Sequence, residues 1–185
     1  YNQHKLVNRL YKVDQNLDFK FDKSFFNTQK INIGIISGDF VDHPVSFFIS
    51  TFLKRFDNTR FNVTCYSECL INTGLYNDNL KFTTIKNLSA EQAADVIYND
   101  KVHVLFDLAG HTAFNRLDVF ALKPSPIQIT YIGYPFTTGL NEMNYRITDN
   151  ICDGDLSVSQ KFYTERLTAL KNCFLCYDPT VISNG

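Results

Sequence analysis

The chain has almost no net charge, −1 over 185 residues, and so offers no basic face of the kind that nucleic-acid binding demands. It lacks any uninterrupted apolar run near the roughly 18 to 20 residues that cross a bilayer, so no membrane partner is expected. Residues 1 to 16 are polar and mixed in charge, unlike a secretory signal, which favours an intracellular chain. No internal repeat is visible. No G-x-G-x-x-G follows the first strand-like run, which argues against a dinucleotide cofactor. Paired carboxylates, a Ser–His–Asp order and a two-histidine metal spacing are also missing.

Cysteine is sparse and irregular. Of Cys65, Cys69, Cys152, Cys173 and Cys176, only Cys173-x-x-Cys176 is a close pair, and no second pair completes a zinc site. Its apolar neighbours Phe174 and Leu175 favour buried structural thiols over metal or redox work. Asn62-Val63-Thr64 and Asn87-Leu88-Ser89 match the glycosylation sequon, as an asparagine-rich chain does by chance.

What is present is ample for a core: 44% hydrophobic residues, including 17 phenylalanines. The length suggests about one domain with an appended helix. Residues 4 to 13 carry Leu6, Val7, Leu10, Tyr11 and Val13 near helical spacing, so residues 1 to 29 read as a leading helix and connector. Residues 30 to 185 then alternate between periods. Strands are predicted at Ile31 to Ile36, Phe61 to Tyr66, Phe82 to Ile85, Val102 to Leu108, Ile127 to Ile132 and Tyr145 to Thr148. Helices are predicted at Val45 to Phe56, from Ser89 to about Tyr98 behind a capping box, at Arg116 to Leu122 ahead of Pro124, and at Ser157 to Arg166. This alternation predicts an α/β fold, a Rossmann-like parallel sheet.

Three strand-end loops carry the chemistry. Ser37-Gly38-Asp39-Phe40 leads to His43-Pro44, Asp107-Leu108-Ala109-Gly110-His111-Thr112 follows a second strand, and Gly133-Tyr134-Pro135-Phe136-Thr137-Thr138-Gly139 a third. Ligands of α/β sheets gather at such C-terminal edges, so the three loops are expected to form one rim. An imidazole at position 43 or 111 can exchange protons near neutral pH, or simply order its loop. Pro44 suits the first turn of a helix. Tyr134, Thr137 and Thr138 read equally as turn residues or ligand contacts. Asp39 and Asp107 read first as caps. Asp95 reads as a solvated helix position, His103 as a satisfied sheet residue and His4 as solvated. The residues thus reach a ligand-binding α/β domain, and no reaction class follows from them alone.

At these loops the chain resembles the O-GlcNAc transferase family of protein O-glycosyltransferases, together with its SPINDLY-type O-fucosyltransferase relatives. The resemblance rests on Ile33-Gly34-Ile35-Ile36-Ser37-Gly38-Asp39-Phe40 with His43-Pro44, and on Asp107 to Thr112. Ala121-Leu122-Lys123-Pro124-Ser125-Pro126-Ile127-Gln128, Gly133-Tyr134-Pro135 with Thr137-Thr138-Gly139-Leu140, and Tyr145-Arg146-Ile147-Thr148-Asp149 complete it, in order from about Lys30 to Pro179. The resemblance implies the N-terminal lobe of a two-lobed GT-B enzyme that transfers a sugar, with inversion and without a metal or other cofactor, to Ser/Thr hydroxyls of protein acceptors. The implied sugar-nucleotide co-substrate is UDP-GlcNAc, with GDP-fucose as the alternative donor. A non-catalytic protein-binding lobe is the reading from another class. The family resemblance implies His43 as base or positioning group, Asp95 in proton relay, and Pro44, His111, Thr112, Gly133, Tyr134, Pro135 and Thr138 facing the substrate. The C-terminal lobe and the helical tetratricopeptide repeats of that family are not in this sequence, so the isolated chain is expected to bind donor poorly. In that family such proteins work in the cytoplasm or nucleus.

Overall fold

Ile31–Ser37, rich in β-branched isoleucine, forms β1, an interior strand of a seven-stranded sheet in the computed structural model, which describes residues 2–11, 17–69 and 80–179. The strands are β1, β2 (Phe61–Ser67), β3 (Lys81–Thr84), β4 (Val104–Asp107), β5 (Ile127–Thr130), β6 (Tyr145–Asp149) and β7 (Arg166–Leu170). Their order is β3-β2-β1-β4-β5-β6-β7, and every neighbouring pair is parallel. The chain moves outward from β1 to β3, returns to the other side of β1 as β4, and moves outward again. The direction of travel therefore reverses between β1 and β4, and the loops leaving these two strands diverge at the sheet's C-terminal edge.

Both faces of the sheet are covered, which is why its strands read as apolar runs rather than alternations. Ile33, Ile35, Val63 and Cys65 turn to one face, against Val45, Ile49 and Leu53 of helix α3 (Pro44–Arg55). The i, i+4, i+8 spacing of those three places them on one stripe, and each buried aliphatic side chain contributes ~2 kcal/mol. Ile36, Tyr66 and Leu105 turn to the other face, against Ala93, Ala94 and Ile97 of α4 (Ala90–Asn99) and Leu117 and Phe120 of α5 (Leu117–Ala121). The capping box at Ser89 is present: Ser89 Oγ accepts from Gln92 N at 3.2 Å, and Gln92 Oε1 accepts from Ser89 N at 2.9 Å.

Two elements depart from expectation. The leading segment is not one helix but two single turns, α1 (Asn2–Lys5) and α2 (Val7–Leu10), separated at Leu6, and residues 12 and 13 lie outside the described residues. Val7 and Tyr11 pack on the core, with Leu17 and Phe19 after them, but Leu6 and Leu10 are exposed, so the helical spacing overstated both length and burial. The helix expected over Ser157 to Arg166 is a single turn, α6 (Leu156–Ser159), then a 3-10 turn (Gln160–Phe162) and strand β7. Arg166–Leu170 becomes a strand because β6 offers a parallel ladder along its whole length, a long-range partner with no local sequence signal.

The cysteines also differ from expectation. Cys65 is buried, Cys69 is half-buried, and Cys152, Cys173 and Cys176 are exposed. Among the described residues no cluster of histidine, cysteine and carboxylate side chains is arranged to hold a metal. No described helix is long and apolar enough to cross a membrane.

Candidate functional site

Asp107 ends β4 and is fully buried, accepting the N–H groups of Ala109 and Gly110 at 3.0 Å each and the Thr130 hydroxyl at 2.8 Å. Burial pushes its carboxyl above the usual range, against the pull of these donors. No helix starts here, so it is not the helix cap its position suggested; its carboxylate instead closes a turn that leads to His111. Gly110 completes the turn with φ +55°, and a Cβ there would lie 2.3 Å from Cβ of Tyr134. The β4 and β5 loops are thereby pressed together. Gly133 is tighter still: a Cβ would meet the Leu108 carbonyl oxygen at 1.9 Å.

This close approach joins His111 and Tyr134, with ring centroids 5.1 Å apart and edge to face. His111 Nε2 lies 2.8 Å from the Thr138 carbonyl oxygen. A carbonyl can only accept, so Nε2 carries the proton and Nδ1 is left with its lone pair. His4, read from sequence as solvated, completes the cluster instead. Its Nε2 lies 3.0 Å from the Tyr134 hydroxyl, and its ring is 5.2 Å from that of His111. Burial first, and His111 second, lower its pKa. Its Nδ1 is buried with no hydrogen-bond partner among the described residues.

His43 occupies the neighbouring loop, from β1. It is the N-cap of α3: Nδ1 accepts the Val45 N–H at 3.3 Å and lies 3.6 Å from Asp39 Oδ2. A capping Nδ1 holds no proton, so the neutral ring carries it on Nε2. Burial raises the Asp39 carboxyl pKa, and His43 opposes that rise. Pro44 sits at the first helical position, as expected. The β1 and β4 loops touch where a Cβ on Gly38 would lie 2.6 Å from Cβ of Phe114. The two histidines therefore stand on adjacent loops at the point where the sheet reverses.

The remaining residues fall into two groups. Pro44, Thr112, Phe114, Pro135 and Phe136 are exposed along the rim. Thr138 is not: its hydroxyl and N–H both bond Glu165, and Thr137 donates to the same carboxylate at 2.6 Å. The paired hydroxyls thus shape the loop from within, and only the Thr138 carbonyl faces His111. Asp95 stands exposed midway along α4, apart from the loop cluster. His103 is buried between the Asn32 N–H and the Phe25 carbonyl, the satisfied sheet residue expected of it.

Sequence reasoning assigned no part to Glu165, or to Arg146, whose buried guanidinium donates to the Tyr134 and Pro135 carbonyls at 3.2 and 3.0 Å. Only its place in the Tyr145 to Asp149 motif hinted at a role. A separate concavity of about 580 Å³ opens at the opposite, N-terminal edge, lined in part by Lys30, Asn32, Asn62, Lys81 and Asp100. Its two ammonium groups are already engaged, by the Asn58 carbonyl and by Asp100, and no candidate residue lies there.

The sequence profile of glycosyl transferase family 41 matches residues 4–182. The chain belongs to glycosyl transferase family 41. Among curated members, the probable UDP-N-acetylglucosamine–peptide N-acetylglucosaminyltransferase SPINDLY of Arabidopsis thaliana is 39% identical over 158 residues, covering 81% of this chain and 17% of that protein. The UDP-N-acetylglucosamine–peptide N-acetylglucosaminyltransferase of Caenorhabditis elegans is 33% identical over 82% of this chain and 14% of its own length. A mutant O-GlcNAc transferase of Thermobaculum terrenum superposes with a TM-score of 0.79 at 25% identity, covering 93% of this chain and 34% of that one. The fold is accordingly that of a Rossmann-like lobe of a family 41 enzyme. The chain spans less than a fifth of the length of these curated relatives.

Proposed function

We propose that this chain is the N-terminal catalytic lobe of an inverting protein O-glycosyltransferase, which moves GlcNAc from UDP-GlcNAc to Ser/Thr hydroxyls of proteins. The observation that carries the reading is the meeting of the family's loop motifs at one sheet edge, with His43 and His111 on adjacent loops at the reversal point. The names of the family 41 relatives supply the donor and the peptide acceptor.

The two imidazoles suit different tasks. His111 offers an unprotonated Nδ1, fit to accept a hydrogen bond or a proton from an attacking hydroxyl. His43 offers a proton on Nε2 at the start of a twelve-residue helix, where the macrodipole favours negative charge; this suits it to position the donor or steady a departing diphosphate. Thr112, Pro135 and the backbone at Gly133 lie along the same rim for substrate contact. Asp95 enters only as the proton-relay candidate that the family resemblance implies. No residue of the lobe is asked to hold a metal. The rest of the nucleotide site and the selection of acceptors fall to the second lobe and helical repeats of a longer protein, in the cytoplasm or nucleus.

GDP-fucose is the alternative donor, implied by the resemblance to SPINDLY-type O-fucosyltransferases, whereas the names of both relatives favour UDP-GlcNAc. The test is a full-length protein incubated with a Ser/Thr peptide library and either labelled donor. Label from UDP-GlcNAc on peptide hydroxyls is expected. Label from GDP-fucose alone would replace the donor, and label from neither, with peptide binding retained, would leave a protein-binding lobe.

A further inference from the structure

We propose that His4 is a positioning residue of the site: from outside the Rossmann-like lobe it clamps the Tyr134 phenol and wedges His111 into the orientation the reaction uses. The proposal rests on the glycosyltransferase reading of the same rim. Three observations carry it. His4 Nε2 and the Tyr134 hydroxyl lie 3.0 Å apart, although 130 residues separate them in the chain. The His4 ring meets His111 edge-on, with centroids 5.2 Å apart and planes at 62°. The backbone is seated as well, because Gly139 leaves open the space where a Cβ would stand 2.1 Å from the His4 carbonyl oxygen.

These contacts divide the work of fixing two rings. Thr138 orders His111 through its carbonyl, and the His4 ring packs edge-on against it. Tyr134 is pressed against Gly110 at its Cβ and held by His4 at its hydroxyl, so both ends of the ring are pinned. An apolar side chain at position 4 would fill the same space and leave the phenol free to swing. The imidazole adds a directional bond, and the distance over which a catalytic group is misplaced governs how much rate is lost. The leading segment therefore does more than pack: α1 carries a polar group onto the rim that the β4 and β5 loops build.

The test compares His4→Phe, which keeps a ring and loses the hydrogen bond, with His4→Gln, whose amide can reach the Tyr134 hydroxyl without a ring. In the full-length protein, kcat is expected to fall about tenfold in His4→Phe, the equivalent of one hydrogen bond, while the donor KM stays within about twofold. His4→Gln is expected to recover most of kcat. Wild-type kcat in His4→Phe overturns the proposal, since packing alone would then suffice. Hydrogen–deuterium exchange of the peptide spanning residues 131–140 gives a readout independent of activity. Faster uptake in His4→Phe, reversed in His4→Gln, supports positioning; equal uptake in all three proteins overturns it. If the wild type transfers no sugar from either donor, the glycosyltransferase reading fails on its own, and the exchange comparison still decides whether His4 orders the loop.

Discussion

Glu165 Oε1 accepts the backbone N–H of Thr138 at 2.6 Å, across 27 residues of chain. The same carboxylate takes the Thr137 and Thr138 hydroxyls, so one buried side chain just before β7 holds the loop that carries Tyr134. Glu165→Ala would leave the Thr138 N–H and hydroxyl in the interior without this acceptor, and Thr137 with Thr164 as its remaining hydroxyl partner. The expected loss is about 3 kcal/mol or more, seen as a fall of roughly 6 to 12 °C in Tm by circular dichroism. A shift under about 2 °C would show that the loop finds other acceptors.

Gly133 and Gly154 separate two causes of glycine dependence. At Gly133 the added methyl of alanine meets the Leu108 backbone, which cannot move without disturbing β4. At Gly154 φ is +59° but nothing lies within 4 Å, so alanine there bears only backbone strain of about 1 kcal/mol. Chemical denaturation is expected to show the larger loss for Gly133→Ala, together with weakened ordering of Tyr134. Equal losses would mean that the Leu108 contact relaxes freely.

Asp149, at the end of β6, accepts the N–H groups of Cys152 at 2.8 Å and Phe174 at 2.9 Å. These bonds hold its carboxyl below the usual carboxylate range, the Cys152 bond first. A carboxyl whose folded pKa is depressed stabilises the fold above its unfolded pKa and loses that contribution as pH falls through the folded value. The stability gap between wild type and Asp149→Asn is therefore expected to shrink as pH drops from 6 toward 3. Urea titrations at several pH values check this, and a gap that stays constant or widens on acidification contradicts the assignment.

At His43, capping and chemistry can be pulled apart by choice of residue. Alanine removes the N-cap of α3, a cost of ~1 kcal/mol, whereas asparagine restores a capping oxygen without an imidazole. His43→Asn is thus expected to melt near the wild type while transfer by the full-length protein falls about a hundredfold. Retained turnover in this variant would remove the imidazole from the reaction.

The cysteines give a check on the packing. Cys152, Cys173 and Cys176 are exposed, whereas Cys65 lies buried in β2, where burial raises its thiol pKa strongly. Brief alkylation of the folded protein, mapped by mass spectrometry, is expected to label the first three well before Cys65. Early labelling of Cys65 would place β2 nearer solvent than the structure has it.

Much of the sheet was legible because its signals are local. Ile31 to Ile36, with β-branched side chains on both faces, reads as a doubly covered strand wherever it is found, and Ser89 with Gln92 announces its own helix start. The loops were legible for a similar reason: glycine, proline and histidine at strand ends constrain the backbone within a few residues. His111, Tyr134 and His43 were found in this way.

Composition and spacing alone determined the α/β class, the order of most elements and the loops that hold the chemistry, since each depends on neighbours within a turn or two. The tertiary structure alone decided that Arg166–Leu170 is a strand, that Thr137 and Thr138 turn inward to Glu165, and that His4 reaches Tyr134. Those outcomes depend on which distant partner is within hydrogen-bonding reach once the chain is compact. A short stretch of polypeptide carries no record of that distance.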